Sequence, residues 1–183
     1  MSPALARRLN AVFVLAMCAM LLGAYGVQFG LGELPCPLCL LQRAGMLGVA
    51  VGGLLNVKFG IRASHYGIAL LSAMLGGAVS VRQILLHIVP GTGSYGTAFF
   101  GLHLYAWALV TFIAVGAVIA VMLLLDRQFV AEPAPPHGYP PDGLSRAAFG
   151  LAFVVAVANV LTTLLMCGLG GCPDNPTGYL WLR

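Results

Sequence analysis

Five long apolar stretches, near residues 10–30, 39–57, 65–88, 99–125 and 147–167, constrain this chain more than anything else in it. At about 1.5 Å of rise per residue, each is long enough to cross a hydrocarbon layer of about 30 Å as a helix. Backbone placed in lipid must satisfy its own hydrogen bonds, so stretches of this kind fold as spanning helices. Only 8% of the 183 residues are charged, against about 25% in soluble domains, and an ordinary soluble fold is excluded. The expected fold is an all-α helical bundle, integral to the lipid bilayer. It divides into a four-span core over residues 1–125, a Pro-rich cytoplasmic linker over 126–146, and a fifth span with its tail over 147–183. Arg7 and Arg8 ahead of the first stretch, and a small-x-small site at Ala24-Tyr25-Gly26, loosely resemble a cleavable leader. The apolar run is longer than such leaders use, and a retained span is expected.

The formal charge of +4 comes from basic residues scattered at the ends of the apolar stretches, with no run of them, which argues against a nucleic-acid surface. Their distribution sets orientation instead, because the side richer in Lys and Arg is cytoplasmic. With the N-terminus inside, Arg7, Arg8, Lys58, Arg62, Arg127 and Arg146 lie in the cytoplasm, and Arg43, Arg82 and Arg183 lie outside. An odd number of spans then delivers the C-terminal tail to the outer side. Cys36, Cys39, Cys167 and Cys172 are thereby expected in one outer layer. The linker "DRQFVAEPAPPHGYPPDGLSR" is too polar and proline-rich to bury much area, and poor order is expected there, with His137 solvated.

Four of the five cysteines have the setting of thiol chemistry; the fifth, Cys18, lies mid-span without charged neighbours and reads as packing. In "ELPCPLCLLQR", residues 33–43, Cys36 and Cys39 are spaced to bond across one turn, and Cys39 opens the second span. A helix N-terminus carries roughly half a positive charge, and Arg43 follows one turn later on the same face. Both favour a thiolate at Cys39, the species that attacks and leaves in disulfide exchange. In "CGLGGC", three glycines among the four residues between Cys167 and Cys172 give a loop that can close a disulfide or move a thiol. Two pairs on one face make an electron relay plausible, while a structural brace or a four-thiolate zinc site remains compatible with the spacing. Arg43, Arg82 and His87 at similar depth are candidates to line a small pocket. A flat, apolar electron acceptor such as a quinone needs apolar walls, donors to its carbonyls and a nearby thiolate. His103 reads as packing or an interfacial hydrogen bond, and Tyr105, Trp107, Tyr179 and Trp181 read as interface anchors.

The element "CPLCLLQR", opening a second span, resembles the Cys-x-x-Cys-x-x-x-Arg element of the DsbB disulfide-bond formation proteins, and "VRQILLHIVPG" resembles that family's segment ending in a quinone-side histidine. The resemblance covers roughly residues 10–125. It implies a thiol oxidase of a bacterial inner membrane, in which the Cys-x-x-Cys pair is reoxidised by the membrane quinone pool, ubiquinone or menaquinone. A second pair would oxidise a periplasmic thioredoxin-fold partner, similar to DsbA. Carried over by position, Cys39 is the sulfur beside the quinone, Cys36 exchanges with the second pair, and Arg43 and His87 are quinone-side donors. One departure stands out: familiar members carry their second pair between spans three and four, where "VPGTGSYGTAFF" has no cysteine. Cys167 and Cys172 are the expected substitute. A quinone or epoxide reductase of the vitamin K epoxide reductase type, and a non-enzymatic protein braced by disulfides or zinc, are the alternatives.

Overall fold

The computed structural model describes residues 2–129, 135 and 137–182; Met1, Arg183 and residues 130–134 and 136 of the linker lie outside the described residues. Among the described residues, five long α-helices form the bundle: α1 (Pro3–Gly30), α2 (Pro37–Phe59), α3 (Ala63–Leu86), α4 (Leu104–Leu123) and α5 (Gly143–Cys167). All five are long and apolar enough to cross a membrane, so the all-α membrane bundle expected from the sequence is the fold observed.

Capping residues fix where several helices begin. The Ser2 hydroxyl accepts from the Leu5 N–H and proline follows it, while the Asp142 carboxylate accepts from the Ser145 N–H. The fourth helix starts later than the apolar run suggests. Residues Ala98–Phe99 (β1) and Leu102–His103 (β2) pair instead as a short antiparallel hairpin. Its turn residues Phe100 and Gly101 have φ of 49° and 81°, the left-handed pair that a tight two-residue hairpin turn requires. Apolarity alone does not distinguish such a hairpin from a helix start, and Gly101 is what permits the turn.

Helix α2 is central, flanked by α3 and α1; α4 packs on α3, and α5 packs on α1 and α2. Small residues let α2 and α3 approach closely. A Cβ placed on Gly52 would lie 2.7 Å from the Ala69 Cβ, a clash that holds this position to glycine at the observed spacing. Lipid supplies no hydrophobic force between helices, so such close packing carries their association. The main core runs between the helices through Val14, Leu21, Val49, Phe112, Ile119 and Val155.

The two ends of the bundle differ in chemistry. At the end bearing Arg7, Lys58 and Arg62, a buried polar network joins α1, α2, α3 and the segment after α4. Asn56 Nδ2 donates to Asn10 Oδ1 at 3.0 Å, Asn10 Nδ2 donates to the Tyr66 hydroxyl at 3.0 Å, and that hydroxyl donates to Gln128 at 3.2 Å. His65 Nδ1 lies 3.1 Å from Asn56 Oδ1 and 3.2 Å from the Gly60 carbonyl, two acceptors that together assign it the proton. Parts of the linker are tied to this end, in contrast to the looseness expected of the whole segment. Gln128 is buried, the Tyr139 N–H donates to the Lys58 carbonyl at 2.8 Å, and the Arg7 guanidinium lies 3.8 Å above the Tyr139 ring. One glutamine and one tyrosine in a polar stretch suffice to anchor it locally. All four cysteines of the two pairs lie at the opposite end.

Candidate functional site

The site is built on the first turns of α2. Cys36 is the residue capping this helix, its sulfur accepting from the Cys39 N–H at 3.1 Å, and Pro37 occupies the first helical position. Cys36 and Cys39 form a disulfide with their Cα atoms 5.0 Å apart. Cys36 is buried, whereas Cys39, Gln42 and Arg43 line a cavity of about 600 Å³. Helices α1 and α4 form its sides through residues such as Met20, Val27, Tyr105 and Trp107, with α2 behind.

Arg43 is 6% exposed, and an unpaired charge at this depth would be costly. Its guanidinium is therefore held on several sides. It donates to Gln28 Oε1 at 2.6 Å and to the Ala24 carbonyl at 3.2 Å, and it lies 4.8 Å from the centroid of the Tyr25 ring. On the other flank of the disulfide, Gln83 Nε2 lies 3.2 Å from the Cys36 sulfur and 3.5 Å from that of Cys39. Gln42 Nε2 orients this amide by donating to Gln83 Oε1 at 2.9 Å. A roof crosses the outer edge: the Tyr95 hydroxyl donates to the Leu34 carbonyl at 2.6 Å, and Glu33 accepts from the Thr97 N–H at 3.0 Å and from the Thr97 hydroxyl. Burial and, secondarily, the Glu33 carboxylate push the Tyr95 phenol up, which keeps it a donor.

The second disulfide, Cys167 to Cys172 with Cα atoms 4.5 Å apart, lies in the same layer. Cys167 is 4% exposed and packs with Leu40 and Met166, and Leu34, Cys172 and Tyr179 pack against that cluster. Leu40 directly follows Cys39, so the tail reaches the start of α2. Tyr179 also accepts from Gln28 Nε2 at 3.0 Å. Gln28 thus links the tail on one side to Arg43 on the other.

The predicted site residues divide accordingly. Cys36, Cys39, Arg43, Cys167 and Cys172 come together at one end of the bundle. Arg82 does not: it is exposed and lines no part of the cavity, because consecutive helical residues point about 100° apart and its neighbour Gln83 takes the inward position. His87 is half-buried just behind the cavity wall, its ring stacked 5.6 Å from that of Tyr105, with Nδ1 buried and without a hydrogen-bond partner. His103 is bound to the Gly96 carbonyl at 3.0 Å, in keeping with the hydrogen bond expected of it, and Cys18 is a buried free thiol, in keeping with packing. Tyr179, read from the sequence as an interface anchor, is instead a hydrogen-bond partner inside the site. The sequence reading missed Gln28, Gln42 and Gln83. The signal for Gln83 was present: Ala69, Ala73, Gly76, Ser80 and Gln83 are spaced alternately four and three apart, a single buried stripe on α3.

Comparison with known proteins points in one direction. Residues 6–94 match the family described as "Disulfide bond formation protein DsbB". A protein of Pseudomonas syringae pv. tomato, "Disulfide bond formation protein B", is 30% identical over 140 residues, covering 58% of this chain and 82% of that one. The protein of the same name from Burkholderia mallei is 28% identical over 157 residues, 66% of this chain and 91% of that relative. Another from Chromobacterium violaceum is 40% identical over 85 residues, 43% of this chain, and the match spans only 51% of that relative's length. No solved structure matches this chain.

Proposed function

The chain belongs to the disulfide bond formation protein DsbB family, and from that premise we propose that this multi-pass membrane protein is a thiol oxidase that takes electrons from a partner dithiol and gives them to a membrane quinone. The observation that carries the reading is the Cys36–Cys39 disulfide at a helix N-terminus, with Cys39 and Arg43 opening on an apolar cavity and a second disulfide packed beside it.

The cavity fits a flat two-electron acceptor. Its volume of about 600 Å³ suits a substituted ring, its walls are mostly apolar, and Arg43 and Gln42 supply donors at its back. The buried, unpartnered Nδ1 of His87 behind Tyr105 is a further donor or acceptor close to this wall. When bound, quinone supplies the oxidising equivalents, accepting two electrons and two protons in forming the hydroquinone. The protein's own residues do the rest. The N-terminus of α2 and the Gln83 amide stabilise negative charge on the Cys36 and Cys39 sulfurs, Arg43 positions an acceptor carbonyl, and the mostly apolar walls exclude water. A reduced partner opens the Cys167–Cys172 disulfide and a thiolate released there opens Cys36–Cys39, leaving those two sulfurs as the dithiol that a bound acceptor would reoxidise. The partner is a thioredoxin-fold dithiol protein on the outer side of a bacterial inner membrane, with the basic end of the bundle in the cytoplasm.

The test is reoxidation of the reduced, purified protein by a short-chain quinone under anaerobic conditions. One hydroquinone should form per Cys36–Cys39 disulfide restored, and Cys39→Ser should abolish it. Arg43→Lys, which loses the planar fork, should raise the apparent KM for quinone about tenfold with a smaller change in kcat. Failure of quinone to reoxidise the reduced wild-type protein would sink the reading.

A further inference from the structure

Of the residues that line the cavity, we infer that Glu33 is the one that carries a proton from bulk water to the acceptor bound there. The assignment rests on the oxidase proposed above and supplies a proton that its reaction would otherwise lack.

Proton balance creates the need. With Cys39 as a thiolate, which the start of α2 favours, and Cys36 as a thiol, the reduced pair holds two electrons to give but only one proton. A hydroquinone requires two of each. Restoring the Cys36–Cys39 bond therefore consumes one further proton: thiol, thiolate, quinone and one proton become disulfide and hydroquinone. The Cys36 thiol supplies the first proton, and water supplies the second. Mostly apolar walls keep water out of the cavity, so a titrating side chain at its mouth has to bring that proton in.

The lining offers few carriers. The Arg43 guanidinium keeps its protons, and the Gln42 amide is no acid. Tyr95 engages its hydroxyl on the Leu34 carbonyl, while burial and then the Glu33 carboxylate push its phenol up. Tyr105, a phenol and so a weaker acid than a carboxyl group, is stacked between the rings of His87 and His103, neither of which lines the cavity. Glu33 is the single carboxylate in the lining among the described residues. It is half-buried, and Leu31 and Gly32 just before it are exposed, so it stands at the boundary between solvent and cavity. The Thr97 N–H and hydroxyl hold it there. Gly96 permits the approach, since a Cβ at that position would lie 3.0 Å from Glu33 Oε2.

Reduction also loads the carrier. A negative Cys39 sulfur in the same cavity disfavours a second negative charge, and Arg43, the cation in the lining, is turned toward Gln28 and the Ala24 carbonyl. Glu33 therefore takes up a proton when the pair is reduced and gives it up when the pair is reoxidised.

Two variants of the full-length protein separate proton carriage from the roof contact. Glu33→Gln keeps an oxygen for Thr97 but carries no acid proton, whereas Thr97→Val keeps the carboxylate and loses the hydroxyl. Without quinone, reduction by dithiothreitol should raise a carboxylic-acid carbonyl band in the infrared difference spectrum, lost in Glu33→Gln and retained in Thr97→Val. In single-turnover oxidation of the reduced protein by a short-chain quinone, Glu33→Gln should be slower by about tenfold or more, and Thr97→Val should change little. Glu33→Ala should be slow as well and should recover when formate is added as an external acid. Absence of the band, an unaltered rate in Glu33→Gln, or a Glu33→Ala rate that formate does not restore would each overturn the assignment and leave the oxidase standing. A wild-type protein that quinone does not reoxidise would overturn both.

Discussion

Gln83 brings a neutral side chain to the Cys36–Cys39 disulfide, whereas its neighbour Arg82, the candidate pocket residue in the sequence, points outward. The Gln83 amide lies 3.2 Å from the Cys36 sulfur and is fixed by Gln42, so it presents an N–H to whatever charge develops there. A hydrogen bond to an ionised group is worth about 1.5–3 kcal/mol, and its loss slows reactions that require the thiolate. In the reduced protein, Gln83→Leu should therefore lower the rate of Cys36 alkylation at neutral pH by about tenfold or more. Gln83→Glu should lower it as well, since a carboxylate repels the thiolate; a rate unchanged in both variants would assign Gln83 to packing alone. Arg82, one residue earlier, is exposed, and its replacement by Gln should leave the same rate unaffected.

The helices set these positions through small residues and through the tail. Gly76 of α3 lies against the Phe112 ring of α4. Gly76→Val should force the two helices apart at a cost of about 1–3 kcal/mol, measured as a lowered Tm in detergent. Since α4 forms one side of the cavity, quinone-dependent reoxidation should weaken in parallel. The tail contributes a separate constraint, because the Tyr179 hydroxyl accepts from Gln28, which in turn accepts from Arg43. Tyr179→Phe removes a hydrogen bond worth about 1 kcal/mol. The expected outcome is faster hydrogen exchange across the tail with little change in Tm, together with a modest rise in the quinone KM. An altered exchange rate with an unaltered KM would show that the tail docks without influencing Arg43.

For the molecule as a whole, orientation is the property on which the proposed exchange depends. In right-side-out vesicles, a membrane-impermeant maleimide should label reduced Cys172, and a cysteine introduced at exposed Arg146 should react only after the membrane is opened. Labelling of both from one side would contradict the five-span arrangement. The spans themselves, their number and the helical class were legible in the chain, because in lipid the length of an apolar run and the requirement to satisfy every backbone group leave few options. The thiol pairs and Arg43 were legible too, since Cys-x-x-Cys and a one-turn spacing are local geometry. Less local matters were not. Whether residues 98–103 form a hairpin or a helix start depended on a turn geometry that apolarity does not encode. The stripe of small residues on α3 already turns Gln83 rather than Arg82 inward, but that its amide meets the Cys36 sulfur depended on how α3 packs against α2. The closeness of the tail to Cys36 and Cys39 depended on α5 packing against α1 and α2, a contact between segments far apart in the chain that no local pattern records. Patterning thus settles which segments cross the membrane, whereas helix-to-helix packing settles which side chains meet once they have done so.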